Sequence, residues 1–213
     1  MIVPNDVHPD PEIAERCDTV GAKLFSLDAD AYAKLADAKT PQPALAVVEA
    51  PSLAIDDRFA SPGSALFLVL VDVSDPGNVG TLIRTAEASG CRGVVVTAET
   101  ADVLSPKVVR SSAGSVLRVP IGEATHDEIP AALETLNAHV VATMMDGEPY
   151  DEARFESGQR VALLLGSEAH GVGADVLEYA DRSLSIPMDG KVESLNVATT
   201  GSVLAFTIRS AIR

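Results

Sequence analysis

The 213-residue chain has no tryptophan, two cysteines, and 16 lysines and arginines against 31 aspartates and glutamates, a formal net charge of −15. Each scarcity excludes something. Cys17 and Cys91 stand far apart, with no CxxC and no cysteine–histidine cluster, which argues against structural zinc and against a disulfide framework. Long apolar runs are also missing. The longest, residues 65–71, falls far short of the ~20 residues that span a bilayer, so no membrane helix is expected. The start, MIVPNDVHPDPE, has neither a basic n-region nor an apolar h-region, so no secretory signal is expected and a cytoplasmic location is the default. The shortage of basic residues argues at first against a nucleic-acid partner, because phosphate neutralisation draws on lysine and arginine.

What is present is a foldable chain. Hydrophobic residues make up 46% of it and mean hydropathy is +0.19, enough for one full domain with a small appendage. Residues 1–62 hold five basic and eleven acidic residues. They read as possible helices over 11–23 and 29–38, a short apolar run at 44–48, and a linker around Ser61, Pro62 and Gly63. From 63 to 213 apolar runs alternate with helical patterns. Strands are predicted at 66–73, 93–97, 139–143, 161–165 and 183–186, and helices at 79–89, 106–112, 127–136, 174–179 and 195–212. Unalternating runs suit strands buried on both faces, so the fold class is α/β, a mostly parallel sheet with helices on both faces. Thr125 and Glu128 fit the capping box that opens a helix.

In open parallel sheets, ligands gather at the carboxyl ends of strands. Three strand-to-loop junctions carry unusual sequence: DVSDPGNVGTLIRTA at 72–86, LGSEAHGVG at 165–173, and IPMDGKVESLNVA at 186–198. Singly, each has a plain reading. Asn78 and Ser194 could be helix caps, Gly166, Gly171 and Gly173 turn glycines, and Arg84 a solvated helix residue. Together they would converge on one crevice. A GxxxxGK[ST] loop is absent and no GxGxxG follows the first strand of this region, which disfavours nucleoside triphosphates and dinucleotides.

In combination the three segments resemble the three motifs of the SpoU/TrmH branch of the SPOUT methyltransferases. Asn78, Gly80, Arg84, Thr85 and Ala86 match N-x-G-x-x-x-R-T-A. Gly166, Glu168 and Gly171 match G-x-E-x-x-G. Ile186, Pro187 and Met188 match I-P-M, and Ser194, Leu195, Asn196 and Val197 match S-L-N-V. The resemblance implies methyl transfer from S-adenosylmethionine to a ribose 2′-hydroxyl, in ribosomal RNA in preference to transfer RNA. It further implies a C-terminal deep trefoil knot and a homodimer through the knotted domain. A catalytically silent RNA-binding assembly factor on the same fold is the rival. Carried over residue by residue, Thr143, Leu165, Gly166, Ile186, Met188 and Leu195 would bind the cofactor, and no metal is called for. Arg84 would activate the hydroxyl, as base or through its charge. Glu168 is the alternative base, or else a residue that orients Arg84 or the loop through a salt bridge. Asn78, Ser194 and Asn196 would position the ribose and the loop.

His170 reads as a loop filler, and His8, His126 and His139 have no sequence neighbours suggesting metal ligation. Lys107 and Arg110, next to Ser112, are RNA-contact candidates, with a plain amphipathic helix as the alternative. Against the resemblance, residues 24–48 look like only the end of the RNA-recruiting domain that similar enzymes carry. The N-terminal module is expected to be a short, incomplete α/β piece, either naturally so or through a displaced start. Read by region, 84–118 holds five basic and three acidic residues. Because charges are screened within about 10 Å at 0.1 M salt, such a strip can meet RNA despite the acidic whole.

Overall fold

The computed structural model describes residues 1–36, 40–190, 192 and 194–213. The end of the helix expected over 29–38 and two positions of the 186–198 segment fall outside them. The chain divides into two compact units, Met1–Ala50 and Pro51–Arg213.

In the first unit, β1 (Ile2–Pro4) and β2 (Phe25–Leu27) pair in parallel, with α1 (Pro11–Val20) between them and α2 (Ala29–Ala36) after. Asp10 accepts the Glu12 N–H and Pro11 opens α1, while Gly21 at φ 67° ends it, short of the expected residue 23. Left-handed backbone is where glycine stops a helix. Leu45 exchanges two backbone hydrogen bonds with Ile2, at 2.7 and 2.8 Å, so the 44–48 run adds one antiparallel bridge.

The second unit is built on β3 (Ala65–Leu70), β4 (Gly93–Thr97), β5 (Ile121–Ala124), β6 (His139–Pro149), β7 (Arg160–Leu165) and β8 (Arg182–Ser185). All pair in parallel, in the order β5-β4-β3-β7-β6-β8. Every residue of β3 and β4 is buried, which is why their runs do not alternate. On one face Leu66, Leu68 and Leu70 pack with Val79, Leu82 and Ile83 of α4 (Pro76–Ser89), Val108 of α5 (Pro106–Ser111), and Leu204, Ile208 and Ile212 of α8 (Val197–Ile212). The other face carries Phe67, Val69 and Val71. These meet Phe59 of α3 (Asp57–Ala60), Ile129 and Leu136 of α6 (Ile129–Leu136), and Val176 of α7 (Ala174–Leu177). The chain is thus α/β with helices on both faces of a parallel sheet.

Differences from the sequence expectation have local causes. β5, with the sequence IGEA, was not expected. Gly122 stands there because a Cβ would run into Ile55. Strand β3 ends at Leu70 instead of 73, and Asp72 turns the chain at φ 56°. Beyond residue 143, β6 continues through a register shift between Thr143 and Glu148. Residues 51–62, read as module and linker, pack within the second unit. Phe59 is fully buried, and the Leu53 carbonyl accepts from the Glu123 N–H at 2.8 Å. Arg160 donates to the carbonyls of Phe59 (2.8 Å), Ser61 (2.6 Å) and Leu136 (2.7 Å), and Arg92 to those of Ser61 (2.5 Å) and Pro62 (3.2 Å). Thr125 and Glu128 do form the expected capping box, over a 3-10 turn that feeds α6.

Candidate active site

Strand order changes direction at β3 and β7: from β3 the chain steps outward through β4 and β5, then crosses to β6, comes inward to β7 beside β3, and ends at the far edge on β8. Crevices open at the carboxyl ends of strands where the order reverses. The 72–86 segment leaves β3 there and the 165–173 segment leaves β7 beside it.

The first segment becomes α4. Asp75 accepts the Asn78 N–H at 2.9 Å, Pro76 follows, and Gly90 at φ 76° closes the helix. That backbone hydrogen bond, with Lys107 3.5 Å away, holds the Asp75 carboxyl below its usual range. The second segment becomes a closed turn. Ser167 and Gly171 exchange backbone hydrogen bonds at 3.0 and 2.9 Å, with Gly171 at φ 67°. A Cβ on Gly166 would collide with the backbone of Gly171 and Val172, so a glycine is needed at the root of the turn. Residues 168–170 project from its tip. The third segment ends on Asn196, whose Oδ1 accepts from the N–H groups of Ala198 (2.9 Å) and Thr199 (3.4 Å) to open α8.

All three segments meet through side chains. Asn196 Nδ2 donates to Asn78 Oδ1 at 3.0 Å, and Asn78 Nδ2 donates to Glu168 Oε1 at 2.5 Å. Direction follows from the helix start. With Asn196 Oδ1 held by two backbone donors, its amide nitrogen must point outward, so Asn78 presents oxygen to it and nitrogen to the carboxylate. Helices α4 and α8 are clasped further on by Thr85 Oγ1 and Ser202 Oγ, 2.8 Å apart. There a Cβ on Gly201 would strike Leu82 and Leu165.

Arg84 is exposed and makes no ion pair among the described residues. It shares a helical strip with Gly80 and Glu87, the residues that face α5 and Arg118. Glu168 bonds to Asn78 and not to Arg84, so the salt bridge expected between them is not what holds the loop. Ser194 is exposed. Lys107 and Arg110 are exposed, but Ser112 is not. Fully buried, with its Oγ on the Val109 carbonyl at 3.0 Å, Ser112 backs Gly80 and its side chain is no RNA contact. That expectation is corrected: at a 106–112 helix end, the exposed and buried sides are one residue apart.

Leu165 ends β7, Ile186 follows β8, and Thr143 lies within the neighbouring β6 at the residue where its register shifts, with Thr143 Oγ1 on the Leu164 carbonyl at 3.1 Å. Leu165 and Gly166 are buried, Ile186 and Met188 half-buried, and Leu195 is 37% exposed. An apolar set beside bare glycine backbone fits a flat base held mainly by main-chain groups, so these residues suit S-adenosylmethionine. A hollow of about 660 Å³ lies elsewhere, in the first unit, beside Glu12, Ile13, Arg16 and Cys17.

The sequence matches the description of the SpoU rRNA Methylase family over residues 65–206. The chain belongs to this family. Among SpoU relatives, it is 34% identical over 194 residues to the 23S rRNA (guanosine(2553)-2′-O)-methyltransferase RlmP of Bacillus subtilis, covering 89% of this chain and 73% of that one. To the 23S rRNA (uridine(2479)-2′-O)-methyltransferase of Streptomyces viridochromogenes it is 33% identical, covering 88% and 67%. The SpoU methyltransferase AviRb from Streptomyces viridochromogenes is similar in structure, with TM-score 0.84 and 28% identity over 98% of this chain and 80% of that one. An AdoMet-bound rRNA methyltransferase from Sinorhizobium meliloti has TM-score 0.80 and 26% identity, over 98% and 78%.

One cluster near the SpoU motifs was missed. His126, expected to lack partners, has Asp175 Oδ2 at 2.8 Å from Nδ1, and Asp72 Oδ1 at 2.9 Å and Glu99 Oε2 at 3.5 Å from Nε2. Its hydrogen bonds to Asp175 and then Asp72 push its pKa up to about 9. No local pattern announces the cluster, because its members come from four separate junctions.

Proposed function

We propose that this chain methylates a ribose 2′-hydroxyl in RNA, ribosomal RNA being favoured by the 23S rRNA enzymes among its relatives. The observation that carries the reading is the Glu168–Asn78–Asn196 chain, which joins all three motifs at the reversal of the sheet. S-adenosylmethionine, when bound, supplies an electrophilic methyl group on a sulfonium. The protein must then orient a hydroxyl, keep water out and ease the loss of its proton. A guanidinium is a poor proton acceptor at neutral pH, so Arg84 is assigned to electrostatic activation, through the phosphate beside the hydroxyl. Glu168 fixes Asn78 and is the alternative base. Asn78, Asn196 and Ser194 position the ribose, Thr143, Leu165, Gly166, Ile186, Met188 and Leu195 take the cofactor, and Lys107 and Arg110 face RNA.

The same reading includes a deep trefoil knot in the C-terminal part, a homodimer through it, and a small N-terminal α/β module before a catalytic domain that takes in residues 51–62 as well as 63–213. Family membership supports these assignments, and exposed Phe206 on α8 supports the dimer. Among the described residues no helix is long and apolar enough to cross a membrane; a cytoplasmic location rests on the RNA substrate.

Mass spectrometry of nuclease-digested rRNA, treated with the protein and labelled S-adenosylmethionine, should place the label on ribose. Label on a base sinks the 2′-O assignment. Arg84→Ala should lose transfer while still binding cofactor in calorimetry, and a variant with normal turnover removes Arg84 from the mechanism.

A further inference from the structure

Asp72, Asp175 and His126 lie outside the three motifs' matched positions, yet they join the ground on which two motifs stand. Asp72 sits three residues before the cap of α4. Its left-handed backbone is held by its N–H on Thr97 Oγ1 at 2.9 Å, and its carboxylate takes the Thr97 hydroxyl at 2.7 Å. Asp175 lies in the first turn of α7, directly after the Gly166–Gly173 loop. Its carboxylate folds back so closely that a Cβ on Gly173 would lie 2.5 Å from Oδ1. Between them His126, on the turn after β5, reaches Asp175 with one ring nitrogen and Asp72 with the other.

We propose that His126 is a positioning residue: as an imidazolium it ties the turn entering α4 to the loop bearing Glu168, and so sets the separation across which Glu168 meets Asn78. A neutral imidazole has one donor and one acceptor, so it can serve only one of two facing carboxylates, whereas the cation serves both. The charged groups facing the ring are Asp72 from the end of β3, Glu99 from the loop after β4 and Asp175 from α7; Glu128, on its own turn, is spent on Thr125. Asp72, Glu99 and His126 offer atoms within 4.8 Å of one another, a spacing a metal ion could use. With both ring nitrogens engaged by carboxylates from separate segments, the cluster acts as an ion clamp. The pKa of about 9 keeps it closed at neutral pH.

This role rests on the methyltransferase reading, and the test separates the two. His126→Gln should slow single-turnover transfer near neutral pH by about tenfold to a hundredfold, leave S-adenosylmethionine affinity within about threefold, and speed hydrogen exchange at the amides of 167–171. In the wild type, transfer should fall as pH rises through 9. Asp175→Asn, the milder change, should move that fall down by at least about one pH unit, in step with the His126 titration seen by NMR. A normal rate and unchanged exchange in His126→Gln, or an unmoved alkaline limb in Asp175→Asn, overturns the clamp. If the wild type itself transfers no methyl, the methyltransferase reading fails, and the exchange and NMR measurements still decide whether His126 holds the loop.

Discussion

Replacing Gly80 with alanine sets two effects of opposite sign against each other. In a helix interior, alanine is favoured over glycine by about 1 kcal/mol, so on propensity alone Gly80→Ala stabilises. Packing says otherwise. The added Cβ falls on Ser111 Oγ, 2.8 Å from Ser111 Cβ and 2.9 Å from the Ser112 backbone nitrogen. The hydroxyl cannot swing aside freely, since it donates to the Lys107 carbonyl at 2.8 Å and lies 3.1 Å from that of Pro76. Nor can the Ser112 nitrogen, bound to the Val108 carbonyl at 2.8 Å. Relief therefore requires α4 and α5 to separate. Overpacking costs about 1–3 kcal/mol, and with a backbone atom in the way the upper part of that range applies, which leaves a net loss of about 1–2 kcal/mol. For a chain of this size that lowers Tm by about 2–8 °C. Calorimetric or circular-dichroism melting at fixed protein concentration reads it directly. A Tm that rises, as propensity demands, refutes the packing argument.

Three further outcomes follow from the same structure. Asn196→Ala removes the acceptor for two N–H groups at the start of α8 and the donor to Asn78; urea titration should show a loss of about 1 kcal/mol, with a much larger fall in transfer rate than in stability. Arg160→Ala strips four carbonyls, those of Phe59, Ser61, Gly63 and Leu136, of a charged donor and takes the guanidinium from over the Phe67 ring, 5.2 Å away. It should cost about 3 kcal/mol, and a melting curve that does not move rules out that anchoring role. His126 has its folded-state pKa raised from 6.5 to about 9, so the stability it contributes is full below pH 6.5 and is lost as pH climbs through 9. Urea midpoints from pH 7 to 10 should fall in the wild type and fall less in His126→Gln; parallel curves would show that the imidazolium contributes nothing.

How much was legible depended on whether a feature has a local signature. β3, β4 and β7 were plain because strands buried on both faces are unbroken apolar runs, and α6 because Thr125 and Glu128 box its start; α4 and α8 were expected, but with caps at Asn78 and Ser194, where the structure caps them with Asp75 and Asn196. β5 was hidden, since IGEA has one β-branched residue and its glycine answers to Ile55, far back in the chain. Residues 51–62 were assigned to the N-terminal module and its linker because the segment runs into the turn residues Ser61, Pro62 and Gly63. They are anchored through their carbonyls, which no side-chain pattern reveals. In the site, convergence of the three motifs could be expected from strand ends, but the Glu168–Asn78 bond, the burial of Ser112 and the His126 clamp are tertiary facts. Each depends on which face of a turn or helix a residue takes, and that is fixed by packing against segments up to ninety residues away.

The carbonyls gathered by Arg92 and Arg160 bear on recombination. A front piece exchanged at the Ala50–Pro51 joint leaves every acceptor of these two arginines in place, together with Phe59 stacked on Phe67 at 6.2 Å. A graft begun at Gly63 takes away Phe59 and Ser61, leaving Arg160 at the foot of β7 with fewer acceptors and the sheet with an open hole. The tolerated crossover therefore lies fourteen residues ahead of β3, at Pro51, where backbone can be cut without stranding a charge.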